Sequence, residues 1–127
     1  MSWLFCECGH VISDHSLGLD YKAELISDKD FVGFFDLLTD ELQGYITAAQ
    51  AGGAEKWLLS KGFSKDYVSL GLDHGNVLHD YLYAKFLDLK KNVYECVQCG
   101  RLHIERENNN FLSFSPENKL FNELFKK

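Results

Sequence analysis

All four cysteines of this 127-residue chain fall in two short stretches, Cys6-Glu7-Cys8-Gly9-His10 and Cys96-Val97-Gln98-Cys99-Gly100. Two thiolates on one tight turn can share an ion, because the turn aims both sulfurs at one point. A structural zinc site takes four such ligands in a tetrahedron with Zn–S bonds of about 2.3 Å. A glycine straight after the second cysteine lets the backbone turn sharply and frees peptide N–H groups to bond the sulfurs. Residues 96–100 meet that demand with CxxCG spacing, and residues 6–9 meet it one residue shorter, as CxCG. The sequence therefore predicts Cys6, Cys8, Cys96 and Cys99 as ligands of one structural Zn²⁺ ion. Other uses of the same thiols are inert burial, disulfides and a redox pair at Cys96 and Cys99. A Cys6–Cys8 ring is strained, a reducing compartment disfavours disulfides, and no thioredoxin-type βαβ context accompanies the CxxC. Four thiolates accept iron as well as zinc.

Little else in the chain is arranged for chemistry. His10 and His103 follow the two cysteine turns and read as ordinary strand residues near the site. His74 and His79 are five apart and do not share a helix face; with Asp73 and Asp80 they form a fragmentary His-Asp pattern that suits a metal-dependent enzyme only weakly. Asp36 and Asp40 lie one helical turn apart, where paired carboxylates can do acid–base work or face a basic partner. No phosphate-binding glycine loop, GxSxG or HExxH is present. With every cysteine consumed by a closed site, no open metal position is left to activate water. The expectation is a protein that is not an enzyme.

The net charge is −6, and Asp28, Asp30, Asp36, Asp40 and Glu41 face a single base, Lys29, over residues 28–41. Phosphate neutralisation supplies most nucleic-acid affinity, and this chain has no dense basic run. Its acidity suits a basic protein partner, with Asp36, Asp40 and Glu41 as the expected contact residues. The competing expectation, a nucleic-acid-associated or regulatory role, would use Lys90, Lys91, Arg101 and Arg106. Trp3-Leu4-Phe5 is too short for a signal-peptide core, and no apolar run is long enough for a membrane span, so a cytoplasmic protein is expected.

The elements that must position the cysteines follow from periodicity. Residues 2–13 read as strand, turn, strand. Residues 17–26 are ambiguous, with a helical turn near Tyr21 to Leu25. Apolar residues from Phe31 to Ala49 recur every three or four positions, which predicts a helix over 28–50 that Ser27 or Asp28 caps and Gly52-Gly53 ends. A short helix follows over 54–60, with Trp57, Leu58 and Leu59 inward, then a turn after Ser64. Val77, Leu78, Tyr81, Leu82, Phe86 and Leu89 predict a second long helix over 73–90. Strands return from Val93, through a hairpin with its turn at Asn108-Asn109-Asn110. Ser115-Pro116 opens a last helix over 116–127, with Leu120, Phe121, Leu124 and Phe125 on one face.

The segments Phe5–Ile12 and Tyr94–Ile104 together resemble the zinc-ribbon family, in which two strand–turn–strand hairpins clasp one zinc ion. This chain departs from that pattern in the 87 residues between Cys8 and Cys96. The resemblance implies an α+β fold in one domain, 1–127. Its β part, 1–13 and 93–115, is split by a helical insertion, 20–92, and followed by the C-terminal helix. By general type, small acidic aromatic-rich chains of this kind also resemble bacterial immunity proteins, which sequester a toxin domain. That likeness implies a basic toxin domain as partner.

Overall fold

The computed structural model describes residues 2–107, 109–118 and 123–125. It has an α+β fold of two compact units. One unit joins the residues up to Ile26 with those from Lys90 onward; the other is Ser27–Leu89.

The split unit carries the strands. β1 (Ser2–Phe5) and β2 (Val11–Asp14) form an antiparallel hairpin around the first cysteine turn, from Ser2 opposite Asp14 to Phe5 opposite Val11. β3 (Lys22–Leu25), β4 (Lys91–Glu95), β5 (Leu102–Glu107) and β6 (Asn110–Phe114) make an antiparallel sheet in sequential order. The second cysteine turn joins β4 to β5. Asn109 takes a left-handed φ of 68° at the β5–β6 turn, a conformation asparagine tolerates. Cys6, Ile12, Tyr94 and Cys96 form the buried core, with Leu4, Tyr21 and Phe111 packed on it.

β3 corrects the sequence expectation. Residues 22–25 do not open the helical insertion; they pair with β4 from Lys22 opposite Tyr94 to Leu25 opposite Lys91. Lys-Ala-Glu-Leu has no strand preference of its own. Its backbone is recruited by a partner some 70 positions away in sequence, and the Glu95 N–H bond to the Tyr21 carbonyl, 2.8 Å, extends the pairing. The helix expected over 116–127 falls partly outside the described residues; Glu117, Asn118, Leu124 and Phe125 are in turns.

The contiguous unit is helical. α1 (Asp28–Gln50) starts at Ser27, whose hydroxyl accepts the Asp30 N–H at 3.2 Å. Gly44 does not break it; a Cβ there would sit 3.3 Å from the Trp57 indole nitrogen, so the glycine admits the ring. α2 (Ala54–Ser60), α3 (Lys65–Ser69) and α4 (His74–Leu89) follow. The Ser64 hydroxyl caps α3, and Asp73 Oδ1 accepts the Asn76 N–H at 2.8 Å at the start of α4. Tyr45, Leu58 and Val77 are buried together, and Trp57 packs edge-on against Tyr45 and Tyr81 at 5.1 and 5.4 Å. Leu59, expected inward, is 42% exposed, because neighbouring helix positions point about 100° apart and Leu58 takes the core side. No helix among the described residues is long and apolar enough to cross a membrane.

Phenols anchor this helical core through carboxylates. Burial, then the neighbouring Glu41, pushes the Tyr81 hydroxyl up to about 12; burial and the Asp80 carboxylate, 2.7 Å away, do the same for Tyr67. Both folded values lie above the ordinary 10, so their contribution is complete below about pH 10 and disappears as pH rises through 12. Helical circular dichroism should therefore fall in alkaline titration above pH 10, and Tyr67→Phe should move that midpoint upward. An unchanged midpoint in the variant would show that the phenols carry no such linkage.

Candidate metal centre

The two cysteine turns are tied alike. In the first, the Cys6 N–H bonds the His10 carbonyl at 2.9 Å, and the Gly9 N–H returns to the Cys6 carbonyl at 2.9 Å. In the second, Cys96 N–H bonds the Arg101 carbonyl, and Gly100 N–H returns to the Cys96 carbonyl, both at 2.8 Å. The first turn closes the same pair of bonds in one residue fewer. Gly9 and Gly100 take φ of +97° and +81°, a region that side chains disfavour.

These turns bring the sulfurs of Cys6, Cys8, Cys96 and Cys99 within 4.8 Å of one another. The shortest pairs cross between the turns: Cys6 Sγ to Cys99 Sγ and Cys8 Sγ to Cys96 Sγ, each 3.6 Å. A tetrahedron with Zn–S bonds of about 2.3 Å has S–S edges of about 3.8 Å. The thiols are free, and 3.6 Å far exceeds a disulfide bond. The donor set and its spacing thus fit a metal ion held by four sulfurs.

The surroundings compensate the charge such a site gathers. Four thiolates around a divalent ion leave a formal excess of about two negative charges. Arg101 Nη1 donates to Cys99 Sγ at 3.3 Å, and its other terminal nitrogen lies 3.8 Å from Glu7. Backbone N–H groups of Cys8, Gln98, Cys99 and Arg101 also face the sulfurs. Without a metal the four thiols are unequal. Burial pushes Cys96 up to about 12 and raises Cys6. Burial also acts upward on Cys99, but the Arg101 N–H and the neighbouring thiols outweigh it and bring Cys99 down to about 7. Metal loading must therefore displace protons from Cys6 and Cys96 at neutral pH.

The remaining candidates are placed elsewhere. His103 is buried, with Nδ1 2.6 Å from the Ser113 hydroxyl, and burial lowers its pKa. His74 Nδ1 meets the Tyr45 hydroxyl at 2.6 Å, Asp80 accepts from Tyr67, Asp73 caps α4, and the side chain of His79 is 73% exposed. Among the described residues, no other group of three or more His, Cys, Asp or Glu side chains comes close enough to hold an ion. Asp36 and Asp40 are exposed on α1. Glu41, the third acid expected at a partner surface, pairs with Lys61, 3.0 Å away, and lies beside Tyr81. It follows Asp40 by one position, and a 100° step carries it off the exposed face. Arg101 is the functional residue that sequence reasoning placed elsewhere, as a phosphate contact; its position straight after Gly100 was the available signal.

A mixed α+β fold, with a split β unit, a contiguous helical one and four cysteines close enough to hold a metal ion, defines the chain. Its sequence belongs to the family described as Domain of unknown function (DUF8617), whose profile matches residues 2–118 and so takes in every strand and helix described above. No curated protein and no solved structure matches the chain.

Cys96→Ser should abolish stoichiometric metal in the purified protein, measured by elemental analysis. It should broaden the resonances of the β unit and leave those of Ser27–Leu89, which has its own core, in place. Arg101→Gln should keep the metal but weaken its affinity roughly 10–100-fold in chelator competition. An unaltered affinity would remove Arg101 from the metal's environment.

Proposed function

We propose that this chain is a non-enzymatic, zinc-stabilised protein-binding protein, and that its partner surface is the exposed face of α1. The observation that carries this reading is on that helix. Phe31, Val32, Phe35 and Ile46 are all 45–54% exposed, and at 100° per residue they fall within one sector of α1 that includes Asp28, with Asp36 and then Asp40 on its flank. Exposed single apolar residues are ordinary; a contiguous apolar stripe rimmed by like charge is the usual make-up of a contact site. An apolar centre supplies affinity, and the acidic rim selects and steers a basic partner.

Zinc is the ion of choice because four closed thiolates suit a structural rather than a catalytic site. The likeness of the two cysteine turns to a zinc ribbon supports the same reading. A basic bacterial toxin domain, neutralised by this chain acting as an immunity protein, is the partner class that its acidity and small size favour. The nucleic-acid alternative loses support from its own residues. Lys90 pairs with Glu24 at 2.8 Å and Arg101 with Cys99 at 3.3 Å, so two of the four expected phosphate contacts are already engaged.

The test is capture from native lysate with wild-type protein and with Phe35→Ala combined with Asp36→Lys and Asp40→Lys. A basic protein should be retained by wild type and released by moderate salt, lost to the variant, and toxic when expressed without the chain. Capture unaffected by the α1 substitutions, or retention on heparin instead, would overturn the proposal.

A further inference from the structure

The β unit holds a cleft of about 280 Å³ that the metal centre does not use. It opens between the β1–β2 hairpin and the four-stranded sheet. Trp3 from β1, Tyr94 from β4 and Phe111 from β6 line it, together with Asp14 and Asn109. Leu4 and Ile12 complete the lining. Its size is at the low end for ligand sites, of about 300–1,000 Å³, so it suits a single small group.

Three aromatic rings and one carboxylate in a small cleft have a definite chemical preference. Ring faces are negative, and a cation near them gains roughly 0.5–2 kcal/mol beyond what burial of its apolar surface gives. Trp3 is 57% exposed at the mouth, and its edge-on contact with His15, with centroids 4.4 Å apart, fixes the indole. Tyr94 and Phe111 lie tilted, 5.7 Å apart. The β unit itself uses this combination: Lys22 from β3 places its ammonium 5.6 Å from the Tyr94 centroid and 2.7 Å from Asp14 Oδ2. The Tyr94 hydroxyl donates to that same oxygen. Asp14 Oδ1 has no hydrogen-bond partner among the described residues, although Asp14 lines the cleft. Lys22 pairs with the carboxylate from the β3 side and Lys90 adds positive potential at it, while the glutamates at 24 and 105 add negative potential at Tyr94.

We infer that this cleft binds one organic cation, a quaternary ammonium or guanidinium group, against Trp3, Tyr94 and Phe111 with Asp14 as counter-charge. The site stands on these residues alone and is independent of the α1 surface. The cation comes from a free small amine or from a side chain of a bound protein.

The experiment uses the metal-loaded full chain, ¹⁵N-labelled, titrated with choline and with 3,3-dimethylbutan-1-ol, its neutral isostere. The Trp3 indole N–H should shift saturably, with choline roughly tenfold tighter than the alcohol, and the Trp57 indole should stay in place. Asp14→Asn should reduce the preference for choline. Trp3→Ala, a change at an exposed position, should abolish the shifts that both compounds cause at the backbone amides of Tyr94 and Phe111, and an unchanged amide spectrum elsewhere checks that the fold is intact. N-acetylarginine methylamide is the second arm: tighter binding than choline assigns the cleft to a partner's arginine, and weaker binding assigns it to a free quaternary amine. Equal affinity for choline and its isostere, or no saturable shift of Trp3, overturns the inference.

Discussion

Convergence of four sulfurs on one point is the constraint around which the β unit is built. Cys6 and Cys99 lie 93 positions apart, yet their sulfurs are 3.6 Å from each other. Closing so long a loop costs little more than closing a short one, since each doubling of length adds only about 0.6 kcal/mol. The helical unit can therefore interrupt the β unit without undoing it. What the closure demands is local accuracy at both ends, and the hydrogen bonds of Cys6, Gly9, Cys96 and Gly100 supply it. The core of this unit includes Cys6 and Cys96 themselves beside Ile12 and Tyr94. The residues that could hold a metal ion are thus also part of the hydrophobic packing.

The two units satisfy their polar groups in different ways. In the helical unit, carboxylates pair with a phenol and with an ammonium: Asp80 with Tyr67, Glu41 with Lys61. Each pair ties two helices at the edge of a core that is already apolar. In the β unit, the buried polar side chains are Glu95 and His103. Burial raises the pKa of Glu95, and its Oε1 accepts the Leu124 N–H at 3.0 Å. One carboxylate beside Cys96 thus fastens the chain's end to β4. Asp14 plays a similar part across the unit, joining β2 to Lys22 of β3 and Tyr94 of β4.

The most legible parts of the sequence were those set by local spacing. The cysteine turns, the caps at Ser27 and Ser64, and α1 and α4 all follow from residues within a few positions of one another. β3 was hidden because its strand character belongs to its partner, not to Lys-Ala-Glu-Leu. The pairing of Glu41 was not legible, because membership of an acidic run says nothing about which side of a helix a residue takes; its partner Lys61 is 20 positions away. The Trp3 cleft needs β1, β4 and β6 at once, so no window of sequence contains it. Arg101 was visible as a base near a cysteine turn, but its direction toward sulfur depends on the closed geometry of the turn.

Exposure of Phe31 and Phe35 on α1 is a choice the fold did not force. Their rings contact each other at 4.8 Å, so they already recover some burial on the helix surface. Further along the same helix, Tyr45 and Ala49 join a complete core. Polar residues at positions 31 and 35 would therefore cost the helical unit little stability and would improve its solubility. In the proposed role, Asp36 and Asp40 would limit self-association by mutual repulsion between copies while leaving the stripe open to a surface of opposite sign. A stripe guarded in this way would be selective, disfavouring a second copy of the same chain and favouring the basic protein proposed as its partner.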